Sequence, residues 1–125
     1  GSQSTEGLAP HELMAGHGVS ACWDNKLELC IDVENHGETS LAPGVRARFF
    51  TELDEGVRTL CTATTSDQLE PDELERVCCQ LEEPELPPDF DSVVSLVLTK
   101  SEADRDVEDE PATFFFARVA CQATL

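Results

Sequence analysis

The sequence has no tyrosine, one tryptophan and one methionine among its 125 residues. It has no apolar run near the ~18 residues needed to cross a bilayer, no N-x-[ST] sequon and no C-x-x-C pair. Zinc sites usually bring their ligands in as close pairs from one tight turn. These absences argue against membrane insertion and against a structural zinc site.

Basic residues are also scarce, with 8 Lys+Arg against 26 Asp+Glu and a formal net charge of −18. A field of that sign repels phosphate backbones, so nucleic acid is a poor partner, whereas cations and basic proteins are better ones. Hydrophobic residues still make up 40% of the chain. The composition therefore predicts one globular domain with a core of ordinary size.

Six cysteines are scattered across most of the chain, and an even, scattered set favours disulfides in an oxidising compartment. The expected location is therefore secreted or cell-surface, that is, periplasmic or extracellular. Of about 15 full connectivities, we favour one that joins Cys22 to Cys121 and gives Cys30 and Cys61 one each of Cys78 and Cys79. In a strand, Cys78 and Cys79 point to opposite faces; a vicinal bridge between them is the alternative.

Residues 1–18 are rich in Gly, Ser and Pro and lack periodicity, so we expect a flexible leader or linker with at most one helical turn near His11. The domain is expected over 19–125, with neighbouring domains in a larger parent protein. Its clearest signal is the alternation from Leu27 to Val33, typical of a strand with one buried face. Asp24-Asn25 before it tolerate a tight reversal. Further strands are predicted over 19–23, 45–50, 57–65, 93–99 and 114–122.

The segment 67–83 is ambiguous. Its apolar positions fit a helical stripe after Pro71, and they also fit a strand preceded by a turn at Glu70-Pro71-Asp72. We favour the strand because it completes a set of about seven. Seven short strands with turn residues between them predict an antiparallel, disulfide-stabilised β-sandwich of the immunoglobulin-like kind.

The stretch LELCIDVENHGETSLAPGVRARFFTELDEG resembles the CARDB family of immunoglobulin-like modules of bacterial and archaeal cell surfaces. Val33-Glu34-Asn35-His36-Gly37 matches the family's V-x-N-x-G turn. Leu69-Glu70-Pro71-Asp72-Glu73 resembles its L-x-P-G-E turn, with Asp72 in the glycine place. The resemblance covers residues 19–121 and implies architecture and a role in adhesion or domain spacing, with no catalytic residues.

Two candidate sites follow from side-chain chemistry. Oxygen ligands at close spacing in the loop 101–111 suggest calcium, with Asp89 and Asp91 near them if the loops gather at one end; the loop ligands are Asp104, Asp106, Glu108, Asp109 and Glu110. No EF-hand spacing is present, and a solvated acidic loop without an ion is the alternative that we favour. In the last strand, alternation with Ala117 and Val119 predicts Phe115 in the core. Phe114 and Phe116 are then either covered by another part of the same chain, which we favour, or exposed beside Arg118 as an interface patch.

Catalytic patterns fail on spacing. His11 and His17 lie six residues apart, whereas a zincin helix needs histidines four apart. His36, in a turn, is the one histidine inside the predicted domain and gives little basis for a thiol enzyme. We therefore expect a non-catalytic surface module that binds a protein or polysaccharide, without a cofactor. The alternative is a calcium-dependent adhesion or carbohydrate-binding domain that uses the loop 101–111.

Overall fold

The computed structural model of the protein describes residues 13–82, 86–87, 89–104 and 111–121. In these residues the chain forms seven antiparallel strands: β1 (Leu13–Trp23), β2 (Lys26–Asn35), β3 (Arg46–Leu53), β4 (Gly56–Thr64), β5 (Leu74–Glu82), β6 (Asp91–Thr99) and β7 (Ala112–Ala120). They lie in two sheets, with strand orders β1-β2-β5 and β4-β3-β6-β7. The predicted antiparallel β-sandwich of about seven strands is confirmed. Within the described ranges there is no helix with the length and apolarity that crossing a membrane requires.

The core lies between the two sheets. Strand β2 supplies the side chains that the alternation predicts, since Leu27, Leu29, Ile31 and Val33 are all buried. Opposite them, the second sheet contributes Ala47, Phe49, Val94, Leu96 and Leu98. Burying a large aliphatic or aromatic side chain contributes about 1.5–3 kcal/mol, so this layer is the main source of stability.

The first strand begins earlier than predicted. Leu13 to Gly18, expected in a flexible leader, belong to β1, where Leu13 pairs with Asn35 and Ala15 with Val33. The register shifts between Ala15 and Gly18, which is a β-bulge. A bulge breaks the alternation that marks a strand in sequence, so this half of β1 gave no periodic signal. Residues 1–12, including His11, lie outside the described part.

Two turns follow the predicted chemistry. Asp24 and Asn25 both have positive φ, 47° and 64°, as a two-residue type I′ hairpin turn between β1 and β2 requires. Before β5, the N–H of Glu73 donates to the carbonyl of Glu70 at 3.0 Å, and Asp72 has φ 70°. That is a type II turn, whose third residue is usually glycine. Residues 74–82 are therefore strand, and the helical alternative is wrong.

The three disulfides follow the favoured connectivity. Cys22–Cys121 joins β1 to the residue after β7, and Cys61–Cys79 joins β4 to β5. Each of these two bonds links the two sheets, at opposite edges of the sandwich. Cys30–Cys78 joins directly opposed residues of β2 and β5 on the outer side of their sheet. All six cysteines are paired, which fits an oxidising compartment.

Candidate interaction face

The outer surface of the four-stranded sheet is the candidate site, and we call it the arginine face. Strand pairing brings to this surface the side chains that alternate with the core positions. The face consists of Arg46, Arg48, Phe50, Glu52, Val57, Thr59, Thr62, Thr64, Asp91, Val93, Ser95, Val97, Thr99, Thr113, Phe115 and Arg118. Three of its apolar side chains are among the most exposed of the described chain: Phe115 at 70%, Val57 at 59% and Val93 at 54%. Large side chains of this kind, left in water on one flat surface, are typical of an interface.

The prediction that Phe115 lies in the core is wrong, and the structure favours the alternative in which Phe114 and Phe116 are covered by the same chain. Phe115 is the exposed one, whereas Phe114 and Phe116 are partly buried against the core. The cause is a bulge in β7: Val94 pairs with Ala117 and Ser95 with Phe115, so Phe116 is an extra residue. Alternation counted back from Val119 therefore fails beyond Ala117.

Phe116 instead packs between the sheets at the edge where β1 and β7 meet. Its ring meets that of Phe49 edge to face, with centroids 5.3 Å apart. Strand β1 crosses closely at Gly18, where a Cβ atom would lie 2.6 Å from Cε1 of Phe116. Phe116 is thus a packing residue, and Arg118 is the one member of the predicted patch that stays on the surface.

Arg48 lies over the ring of Phe50 on the arginine face. Its Cζ is 5.3 Å from the centroid of the Phe50 ring, and its Nη1 donates to Oγ1 of Thr59 at 3.0 Å. A guanidinium stacked on an aromatic ring is weakly hydrated and keeps donors for a ligand. The side chain is therefore positioned before any partner arrives.

Arg118 is positioned by the carboxylate of Asp91, at the end of the arginine face where β6 begins. Its Nε donates to Oδ1 of Asp91 at 2.9 Å and its Nη2 to Oδ2 at 3.1 Å. These two hydrogen bonds lower the pKa of Asp91 and raise that of Arg118. Both groups are exposed, so water and salt screen the pair.

The charge of the arginine face differs from that of the rest of the chain. Its three arginines outnumber Glu52 and Asp91, which gives a net charge of +1 in a chain of −18. The outer surface of the three-stranded sheet is acidic: Lys26 and Arg76 are outnumbered by Glu28, Asp32, Glu34 and Glu82, net −2. The arginine face is therefore suited to an acidic partner.

The structure covers part of the predicted calcium set. Asp106, Glu108, Asp109 and Glu110 lie outside the described residues. Asp104 accepts a hydrogen bond from the N–H of Ala42 at 2.6 Å. Asp91 lies at the opposite end of β6 from Asp104, a strand length of about 26 Å at roughly 3.3 Å per residue. Asp89 comes two residues before it, so among the described residues Asp89 and Asp91 do not gather with Asp104.

Within the described ranges, one cluster of three side chains has potential metal-ligand atoms close together: Glu28, Cys30 and Cys78. The two sulfur atoms are bonded to each other, so neither offers a thiolate. His17 is an exposed residue of β1, and His36 lies 2.7 Å from Oε1 of Glu34 on the surface. Neither histidine faces a cysteine thiol, because no cysteine is free.

Comparison with protein-family models and with curated proteins gives no match for this chain. The resemblance to the CARDB family stays a prediction.

Sequence reasoning placed Arg46 and Arg48 in the predicted strand 45–50 but did not assign them to a site. The missing step was the strand order, because only the pairing of β3 with β6 places Arg46 opposite Thr99 and Arg48 opposite Val97. The β-branched outward positions of β6 were the available signal. Phe115 had none, because its exposure depends on a bulge.

Proposed function

We propose that this chain is a non-catalytic module of an extracellular or cell-surface protein, which binds an acidic protein partner through the arginine face. The observation that carries the proposal is that exposed Phe115 and Val93 lie on a face of net charge +1 in a chain of −18. Covering the exposed parts of these two side chains would contribute about 1–2 kcal/mol each. Arg48 and Arg118 would add charge complementarity, which selects the partner and speeds association.

The strand order supports an immunoglobulin-like topology. Strands β3, β6 and β7 correspond to the C, F and G strands of that fold, with β4 beside β3 in the place of C′. Strands β1, β2 and β5 correspond to A, B and E of the facing sheet. The three disulfides support secretion, since such bonds persist in oxidising compartments.

Site-specific photo-crosslinking tests the proposal. A photoreactive amino acid is placed at Val93, on the arginine face, or at Leu74, on the other sheet; both side chains are 54% exposed. Each protein is mixed with the extracellular fraction of the source organism and irradiated. We expect one defined adduct from position 93 that Phe115→Ser removes, and none of that mass from position 74. Identical adducts from both positions, or none from position 93, would refute the proposal.

A further inference from the structure

The outer surface of the three-stranded sheet carries a cluster of two sulfur atoms and one carboxylate. Cys30 of β2 lies directly opposite Cys78 of β5. Glu28 lies two residues before Cys30 and therefore on the same face of the sheet. One ligand atom from each of these three side chains lies within 4.8 Å of the other two. Cys30 is buried, Glu28 is half-buried and Cys78 is exposed, so the cluster meets solvent along the edge strand β5.

The Cys30–Cys78 bond differs from the other two disulfides in its place in the fold. Cys121 belongs to the core, and both cysteines of the Cys61–Cys79 bond pack against it. Cys30–Cys78 instead joins neighbouring strands on the side away from the core, and nine residue pairs already hold these strands in register. A thiolate opens a disulfide only where it can approach a sulfur atom, and the exposed position of Cys78 allows that approach.

Glu28 provides a free carboxylate beside the two sulfur atoms. No hydrogen bond or ion pair joins Glu28 to another residue of the described ranges. The arginine of this face, Arg76, is already engaged by Asp32, with its Nε 2.9 Å from Oδ1. The face has a net charge of −2 in a chain of −18. A cation is therefore attracted to the cluster.

We propose that reduction of Cys30–Cys78 by a dithiol creates a zinc-binding site, with the two sulfur atoms and the Glu28 carboxylate as ligands. Two electrons pass from the dithiol to the Cys30–Cys78 bond, which becomes two thiols, while the dithiol closes to a cyclic disulfide. Zinc then displaces the two thiol protons, because it binds the thiolate.

The spacing of the cluster suits this ion. Zinc binds thiolate sulfur at about 2.3 Å and carboxylate oxygen at about 2.0–2.2 Å, so two sulfur ligands of one tetrahedral ion lie about 3.8 Å apart. The three ligand atoms already lie within 4.8 Å of one another, and β2 and β5 can stay paired when the bond opens. The site lies on the sheet opposite the arginine face, so it does not depend on the proposed function.

Limited reduction tests the opening of the bond. The folded chain is treated with increasing dithiothreitol without oxygen, free thiols are alkylated, and the modified cysteines are identified by peptide mass spectrometry. We expect Cys30 and Cys78 to be alkylated together while the amide ¹H–¹⁵N spectrum keeps the dispersion of a folded sheet. An intact Cys30–Cys78 bond when another bond has opened, or loss of the dispersed signals as it opens, would overturn the proposal.

Titration with Cd²⁺ tests the metal site, because thiolates bound to this ion give a charge-transfer absorption. The dithiol is removed first, and Zn²⁺ is then added as a competitor. We expect the reduced chain to bind one ion that Zn²⁺ displaces, and the oxidised chain to bind none with this absorption. Glu28→Gln should weaken binding about tenfold or more, since even groups that support metal ligands have effects of that size. Glu34→Gln is the matched control on the same strand and face, outside the cluster, and should leave the affinity unchanged.

Two double variants identify the sulfur ligands. Cys30→Ala with Cys78→Ala should abolish the Cd²⁺ absorption of the reduced chain, whereas Cys61→Ala with Cys79→Ala should retain it. Equal binding by both double variants, an affinity that Glu28→Gln leaves unchanged, or no saturable binding by the reduced chain would each contradict the proposal. None of these results would alter the crosslinking expected from position 93.

Discussion

The side-chain amide of Asn35 donates a hydrogen bond to the main-chain carbonyl of Leu69, 34 residues along the chain, at 3.0 Å. The same Nδ2 donates to the carbonyl of Thr39 at 2.9 Å, and Oδ1 accepts from the N–H of Gly37 at 2.9 Å. Asn35 is fully buried and all its polar atoms are used. It therefore fastens the loop after β2 to the loop before β5, and so positions the segment that leads to Gly44.

Replacing Asn35 by Ala should lower the free energy of unfolding by about 3 kcal/mol, because three hydrogen bonds are lost and buried main-chain groups are left unpaired. Chemical denaturation measures the change. Ser40→Ala is the control in the same loop. Its hydroxyl donates to Glu70 on the surface, so its effect should stay within about 0.5 kcal/mol. Equal effects of the two substitutions would contradict the role given to Asn35.

Asp72 occupies the left-handed position of the type II turn before β5. Substitution by Gly removes strain of about 1–2 kcal/mol and increases the entropy of the unfolded chain, which costs about 0.4–1 kcal/mol. We expect a net gain in stability of about 0.5–1 kcal/mol, measured as a higher denaturation midpoint.

Asp67→Gly is the matched control in the same loop, because Asp67 does not have positive φ. Only the entropic cost applies there, so this variant should be slightly less stable than the natural chain. A loss of stability in both variants would show that Asp72 is held without strain.

These two residues show which parts of the fold could be predicted from sequence. Asp72 lies in a turn whose conformation depends on adjacent residues, and such chemistry can be read locally. The hydrogen bond from Asn35 at the end of β2 to Leu69 spans 34 residues and cannot be read in this way. The disulfide pairing was also accessible, because opposite faces of one strand send Cys78 and Cys79 to different partners. The immunoglobulin-like topology and the binding function depend on long-range arrangement, and they stay predictions.

The errors share one cause. Between Ala15 and Gly18 in β1, and at Phe116 in β7, a bulge adds a residue and reverses the alternation beyond it. Alternation in a single strand cannot reveal an inserted residue, since the bulge is defined by the neighbouring strand. The start of β1 and the exposed phenylalanine were therefore both assigned wrongly.

The three disulfides should contribute unequally to stability. Cys22–Cys121 spans 99 residues of sequence, Cys30–Cys78 spans 48 and Cys61–Cys79 spans 18. Loop-closure entropy predicts about 4.7 kcal/mol for a loop of ~100 residues and about 3 kcal/mol for one of ~15. The double-alanine variant that lacks Cys22–Cys121 should therefore have the lowest melting temperature, followed by the variant without Cys30–Cys78 and then the variant without Cys61–Cys79. The reverse order would show that local packing outweighs chain entropy.

The calcium alternative can be separated from the proposed function by melting. Calcium takes six to eight oxygen ligands, and Asp104 already accepts a hydrogen bond from Ala42. We expect calcium and magnesium at equal ionic strength to raise the melting temperature equally, since both screen a chain of −18. A rise specific to calcium that Asp106→Asn and Asp109→Asn remove would establish the alternative instead.

The Asp91–Arg118 pair should make stability depend on pH in the acid range. Its hydrogen bonds hold the pKa of Asp91 below its ordinary value. A carboxyl whose pKa is lower in the folded state stabilises the fold above its unfolded-state pKa, and this contribution is lost as pH falls through the folded-state pKa. Arg118→Ala should therefore raise the midpoint of the Asp91 carboxyl titration, followed by ¹³C NMR.

The difference in unfolding free energy between the natural chain and Arg118→Ala should be largest at neutral pH. It should shrink in acid, where Asp91 is protonated, and in high salt, because both groups are exposed. Arg48→Ala should leave the Asp91 titration in place; a midpoint that moves as much with Arg48→Ala would mean that the whole arginine face, and not Arg118, sets the ionisation of Asp91.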